Sequence, residues 1–254
     1  MRDLIKRFLK WRGYELVRTD RFGVRALVDV AALYETTSVE VIFDVGANIG
    51  QMTVDFAKAF PAAAIHSFEP FDVAYKALCE RARPFSGVKT VPRALGEKRG
   101  RQALYLNEFA PTNSLLPNDM HADRYQPQGG ASPVGSKQIE VDTIDAYCAE
   151  NGVDFIDLLK MDTQGFELRV LRGGKNTLRA GKVAAIYTEM LFVPLYSGQA
   201  YFHEIYKVLV QLGYKLVQLY ECNYGQEKHL KWCDALFIHP EVLRRRMGVG
   251  QSDQ

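Results

Sequence analysis

The chain has 254 residues, 47% hydrophobic and 24% charged, which is enough for one α/β domain with a sizeable core. A formal net charge of +2 is too small to imply a nucleic-acid partner, and no apolar run approaches the roughly 18 residues of a membrane span. Four cysteines (Cys79, Cys148, Cys222, Cys233) without a CxxC pair read as reduced thiols of a cytoplasmic protein, not as a zinc site.

Residues 1–12, "MRDLIKRFLKWR", place Leu4, Ile5, Phe8 and Leu9 on one helical stripe. Arg2, Lys6, Arg7, Lys10 and Arg12 surround it, and Asp3 is the only acid. A basic amphipathic helix can lie on an anionic membrane, here the inner face of the cell membrane. The plainer reading packs the stripe on the domain or on a second subunit of a homo-oligomer. The expected organisation is an N-terminal helical extension over 1–35, a main domain over 36–242 and a flexible tail over 243–254.

From residue 40, strand patterns alternate with helical ones. "VEVIFDVG" is an unbroken apolar run, expected of a strand buried on both faces, followed by "AAIHSFEP" and the weaker "VKTVPRALG". "FIDLLKMD", "VAAIYTEM", "YKLVQLY" and "DALFIHP" complete the strands, with helices expected over 50–60, 71–83, 166–180 and 200–212. The alternation predicts an α/β fold, a mostly parallel sheet covered on both faces. "RQALYLNEF" and "SKQIEVDTID" alternate apolar and polar residues instead, which predicts an inserted antiparallel pair. Between them the stretch 109–136, rich in Pro, Gly, Ser and Asn, has the length of a functional lid.

The turn after the first strand, "FDVGANIGQ", points to a ligand. Gly46 and Gly50 let the backbone turn tightly and approach a bound group, and the next helix aims its free N–H groups at the same crevice. Open α/β sheets bind ligands there, at the carboxyl ends of the strands. A dinucleotide fingerprint would need glycine where Asn48 and Gln51 stand. What remains, from Asp44 to Gly50, suits a ligand without a pyrophosphate. Glu69, ending the second strand, can accept hydrogen bonds from the ribose hydroxyls of either S-adenosylmethionine or NAD, and the glycine pattern makes S-adenosylmethionine the better ligand.

"FDVGANIGQ", "FEP", "ALGEKRG", "VDTID", "LLKMDTQGFELRVLRGG", "TEM" and "DALFI" closely resemble, in order, the FkbM family of class I methyltransferases. The block from Asp162 to Glu167 is the most specific part. The resemblance implies a Rossmann-like, seven-stranded sheet with one antiparallel strand, S-adenosylmethionine as methyl donor and S-adenosylhomocysteine as product. It implies a cofactor set of Asp44, Gly46, Asn48, Gly50, Glu69, Pro70, Arg93, Ala94 and Asp162. It departs from the family at Arg93, where Asn is frequent, and at Gln164, where many relatives have Glu, so a carboxylate at 164 is not essential here.

Such proteins typically methylate hydroxyls of sugars or polyketides, so the expected acceptor is a small molecule or glycan. An alcohol acceptor must lose a proton, and Asp162 is the first candidate base or hydroxyl anchor, Glu189 the second, with His121 reaching in from the loop. Against these stand plainer roles: Asp162 capping the next helix or fixing the Thr163–Gly165 turn, and Glu189 merely binding the acceptor. Two such acids could also hold Mg²⁺, but no third ligand is evident, and no metal is expected. Asn113, Ser114, Asn118, Asp123, Arg124 and Tyr125 of the loop, and Tyr187, Phe192, Tyr196 and Tyr201 after the fifth strand, are acceptor-side candidates. Rival functions are methylation of a nitrogen or a non-sugar hydroxyl, a nucleotide-binding oxidoreductase, and a non-catalytic protein of the same fold.

Overall fold

The computed structural model describes residues 2–14, 18, 21–34, 37–126 and 130–247. The end of the expected tail (248–254), the loop residues 127–129 and the side chains of residues 1–4 and 6, including Leu4 of the apolar stripe, lie outside the described residues.

Two helices, α1 (Arg2–Trp11) and α2 (Ala26–Leu33), precede β1 (Val41–Val45), α3 (Gln51–Ala59), β2 (Ala64–Phe68), α4 (Asp72–Ala82) and β3 (Val88–Val91). Then come β4 (Ala94–Leu95), β5 (Gly100–Asn107), β6 (Pro133–Asp142), α5 (Ile144–Asn151), β7 (Ile156–Met161), α6 (Glu167–Gly173) and α7 (Lys175–Arg179). The chain closes with β8 (Val183–Leu191), α8 (Phe202–Gln211), β9 (Lys215–Tyr224), β10 (Leu230–Ile238) and α9 (Pro240–Arg246). The apolar runs form a seven-stranded sheet in the order β3-β2-β1-β7-β8-β10-β9, in which β10 alone runs antiparallel. This is the expected class I arrangement. Because β1 has β2 on one side and β7 on the other, the strand order reverses at β1, and a crevice opens at the carboxyl ends there.

Helices cover both faces. One face buries Tyr147, Leu171, Leu178 and Leu209 from α5 to α8, and the other buries Val30, Phe56 and Val242 from α2, α3 and α9. β5 and β6 pair antiparallel as expected, and β4 joins them to make a separate three-stranded sheet.

Four expectations need correction. The third strand run divides into β3 and β4 around Pro92, which has no N–H to donate to a ladder. The helix expected over 166–180 divides at Gly173 and Gly174, residues that favour a helix least after proline, and Gly173 packs so closely on Gly96 that a Cβ would overlap the Gly96 carbonyl. The pattern "VDTID" reads as strand through residue 145, but Thr143 caps α5 by accepting the Ala146 N–H at 3.1 Å. The boundary at 242/243 falls inside α9, where Leu243 is buried and Arg246 pairs with Asp157 at 2.8 Å, so the tail is anchored at least that far. Toward the other end, α2 is likewise built into the domain: buried Asp29 accepts from the Tyr220 hydroxyl at 2.6 Å. All four cysteines are free thiols.

Candidate active site

A cavity opens at the carboxyl ends of β1, β2 and β7, and Gly46, Asn48, Glu69, Pro70, Ala94 and Asp162 of the expected cofactor set line it. Phe71, Leu95, Leu104 and Leu115 add an apolar wall.

The β1–α3 turn needs positive φ at Gly46 (75°), Asn48 (50°) and Gly50 (87°). The Gly46 and Ala47 N–H groups both donate to the Phe68 carbonyl at 3.0 Å, which pins the turn to β2. At Gly46 a Cβ would overlap the Asp162 carbonyl oxygen, so this glycine lets β1 and β7 end side by side as well as presenting backbone to the cavity. At Gly50 a Cβ would lie 2.8 Å from Leu78 of α4. Gly50 therefore serves helix packing and is not part of the lining, contrary to the ligand role expected for it.

Asp44 is also displaced from its expected role. It is fully buried under the turn, with Oδ1 3.0 Å from Lys160 Nζ and Oδ2 accepting from Thr53 at 2.6 Å. Lys160 in turn donates to the Gly46 carbonyl at 3.0 Å. Burial disfavours the Lys160 ammonium, but the charges of Asp44 and Asp162 outweigh it and raise its pKa. Asp44 thus braces the turn from beneath.

Glu69 sits at the cavity edge. Oε2 accepts the Asn48 N–H and Oε1 the Phe71 N–H, each at 2.8 Å. Burial, only partly offset by these two bonds, pushes its carboxyl up to about 7. Each oxygen keeps a free lone pair, which suits a pair of neighbouring hydroxyl donors.

On the opposite side, Gln164 connects the two candidate acids. Its Nε2 donates to Asp162 Oδ1 at 2.7 Å and to Glu189 Oε2 at 3.1 Å. The bridge requires a φ of 55° at Gln164, unusual for a residue with a side chain. Glu189 retains partial exposure, yet burial and the neighbouring Asp162, Glu167 and Asp234 push its carboxyl well above the ordinary range. The Thr163–Gly165 turn is fixed by Glu167: Oε1 accepts Thr163 N at 2.8 Å, Thr163 Oγ1 at 2.9 Å and Gly165 N at 3.3 Å. The Asp162 carboxylate is thus not spent on the cap considered for it, and Asp162 lines the cavity.

The segment expected as a lid is folded against this site. The Tyr196 hydroxyl shares its proton between Gln164 Oε1 (2.7 Å) and the Thr112 carbonyl (3.1 Å), and Ser114 Oγ donates to the Gln164 carbonyl at 2.6 Å. Of the aromatic candidates after the fifth strand, Tyr196 alone joins this network. Tyr187 donates to Asp234, Phe192 stacks on Phe202, and Tyr201 caps α8. His121 is exposed, and no hydrogen bond ties its ring to either acid among the described residues. Arg93 also misses the cavity. It turns outward to Glu140 (3.2 Å) and Asp142 (3.3 Å), so only the neighbouring Ala94 of that pair lines the wall.

A profile described as the methyltransferase FkbM domain matches residues 44–216. The chain belongs to this family. Its sequence is 31% identical over 166 residues to the 2-O-methyltransferase NoeI of Sinorhizobium fredii, a match spanning 63% of this chain and 66% of that protein. It is 27% identical over 194 residues to the methyltransferase sdnD of Sordaria araneosa, spanning 63% of this chain and 75% of that one. Among solved structures, the METTL16 methyltransferase domain aligns with 94% of this chain and 79% of its own at 9% identity and a TM-score of 0.48.

As an FkbM methyltransferase, the protein is a S-adenosylmethionine-dependent enzyme, and the cavity can be tested against that molecule. The fit is good in kind: a buried carboxylate with two free lone pairs for a ribose diol, an apolar wall for the base, and turn backbone for the amino-acid end. Three contributors to the FkbM site escaped sequence reasoning in these roles. Lys160 sits in an apolar strand pattern, Glu167 reads as an ordinary first-turn helix acid, and Gln164 reads only as a departure from the family. The signal available for Gln164 was its place directly before Gly165, in a turn flanked by acids.

Proposed function

We propose that this enzyme transfers a methyl group from S-adenosylmethionine to a hydroxyl of a sugar, in a glycan or a glycosylated natural product. The observation that carries the reading is that Asp162 lines the same cavity as Glu69, with Gln164 anchoring one of its oxygens. In this reading Glu69 binds the ribose hydroxyls, the Gly46–Asn48 turn receives the amino-acid end, and the wall around Phe71, Ala94 and Leu95 takes the base.

S-adenosylmethionine supplies an electrophilic methyl, which leaves sulfur as the acceptor oxygen bonds to carbon. Asp162 takes the hydroxyl proton, a step that general-base catalysis accelerates by about 10²–10⁴-fold. Glu189, whose carboxyl burial and its acidic neighbours push well above the ordinary range, positions Gln164 and the acceptor. The loop around Asn113 and Leu115 closes the acceptor side and excludes water. The name of the relative NoeI, a 2-O-methyltransferase, supports a hydroxyl acceptor. The test is a screen with methyl-labelled S-adenosylmethionine against sugar nucleotides, glycolipids and matched amines. Label on saccharide hydroxyls is expected; label on amines alone would replace the reading with N-methylation.

A further inference from the structure

Among the described side chains of α1, three large apolar ones stand exposed. Ile5, Phe8 and Trp11 are 49%, 55% and 77% exposed, and Tyr14 (67%) extends the apolar surface beyond the helix. Among the described residues α1 makes no extended contact with another helix or strand. The aromatic side chains form one patch. The Phe8 and Trp11 ring centroids are 6.1 Å apart, and the Arg12 guanidinium lies over both rings, 5.7 and 5.5 Å from their centroids.

Charge decides what can cover that patch. Residues 1–12 hold five Arg and Lys against the single acid Asp3, whereas the whole chain is only +2, so the remainder is net acidic. The positive charge is therefore concentrated beside the exposed apolar side chains, with Arg7 and Lys10 themselves exposed. A second copy of α1 would bring like charges together, whereas an anionic lipid surface satisfies both halves of the pattern. Ten residues of helix span about 15 Å, half a bilayer core, so such a helix lies in the interface and does not cross it.

We propose that α1 is a membrane-docking helix that inserts Ile5, Phe8 and Trp11 into the headgroup region of an anionic bilayer while Arg7, Lys10 and Arg12 meet its phosphates. Trp11, whose indole is apolar with one polar N–H, occupies the depth that tryptophan favours at such interfaces. Binding of this kind is reversible and weakens with salt. It is independent of which acceptor the enzyme methylates.

The experiment is co-sedimentation of the full chain with vesicles of phosphatidylcholine alone, or of phosphatidylcholine with roughly one-third phosphatidylglycerol, at low and high salt. Sedimentation is expected with the anionic vesicles only, and less at high salt. Reversing the charge of exposed cations in Arg7→Glu with Lys10→Glu should lower partitioning by at least about fivefold per residue. Phe8→Asp with Trp11→Asp should abolish it. S-adenosylhomocysteine affinity should be unchanged in both variants, showing that the domain is intact. In a Trp232→Phe background, Trp11 emission should shift to the blue on adding anionic vesicles. Equal sedimentation with neutral vesicles, none with anionic vesicles at low salt, or a dimer that Phe8→Asp dissociates without any vesicle binding would each overturn the proposal.

Discussion

The Tyr196 hydroxyl lies 2.7 Å from Gln164 Oε1, and the opposite end of the same amide donates to Asp162 and Glu189. The Gln164 side chain therefore links both candidate acids to Tyr196, whose hydroxyl also reaches the Thr112 carbonyl of the covering loop. With carboxylates on one side and a hydroxyl on the other, the orientation of the amide is set by its partners. Tyr196→Phe removes the hydroxyl but keeps the ring, stranding a buried acceptor. The expected cost is about 1–3 kcal/mol of stability, read as a lower denaturant midpoint. Proteolysis within 109–126 should quicken at the same time, and unchanged cleavage would mean that the loop is held by other contacts.

Asp162→Asn should lower turnover by about 10²–10⁴-fold while leaving S-adenosylhomocysteine affinity within a few-fold of the native value. Glu189→Gln should cost much less, because a glutamine amide oxygen still accepts from Gln164 Nε2 and Glu189 only positions that side chain. Steady-state rates with a saccharide acceptor, paired with calorimetry, separate the two effects. Near-native turnover in Asp162→Asn would move the base elsewhere.

Chelation should leave the rate unchanged, since the Gln164 amide occupies the position between Asp162 and Glu189 that a bridging cation would need. Activity lost with a chelator and restored by Mg²⁺ would show that the amide yields to a metal.

Cofactor affinity should depend on pH through Glu69. The carboxyl of the free protein titrates near 7, and ribose hydroxyls donate to the anion, so binding lowers that pKa and releases a proton. The dissociation constant of S-adenosylhomocysteine should then be flat above pH 7 and rise toward about tenfold per unit below it. Glu69→Gln should bind more weakly with no such slope. Calorimetry in buffers of different ionisation enthalpy counts the proton directly. A flat profile in the native protein would remove Glu69 from the ribose role.

Gly46→Ala should fail as a fold before it fails as a binder. Its φ is 75°, and the new Cβ would overlap the Asp162 carbonyl, which is backbone and cannot swing aside. A large fall in melting temperature without ligand is expected. A stable variant that merely loses cofactor affinity would show that the turn can shift.

By itself the sequence determined the order of elements, the glycine turn after β1 and the acid ending β2, because strand and turn signals are local. Apolar runs and positive-φ residues act within a few positions of themselves. It also placed Asp162 beside that turn through the family pattern. Tertiary structure decided the rest, because hydrogen-bond partners and ionisation depend on groups far apart along the chain. Asp44 and Asp162 both lie near the carboxyl ends of apolar strand runs, yet only Asp162 lines the cavity, and Lys160 from a neighbouring strand pairs with Asp44. Arg93 and Ala94 are adjacent in sequence, and Asp142 draws the arginine away. The Glu189 carboxyl is pushed up only because folding buries it and brings Asp162, Glu167 and Asp234 within electrostatic reach. Nothing in the spacing of those four acids shows that folding gathers them at one end of the sheet.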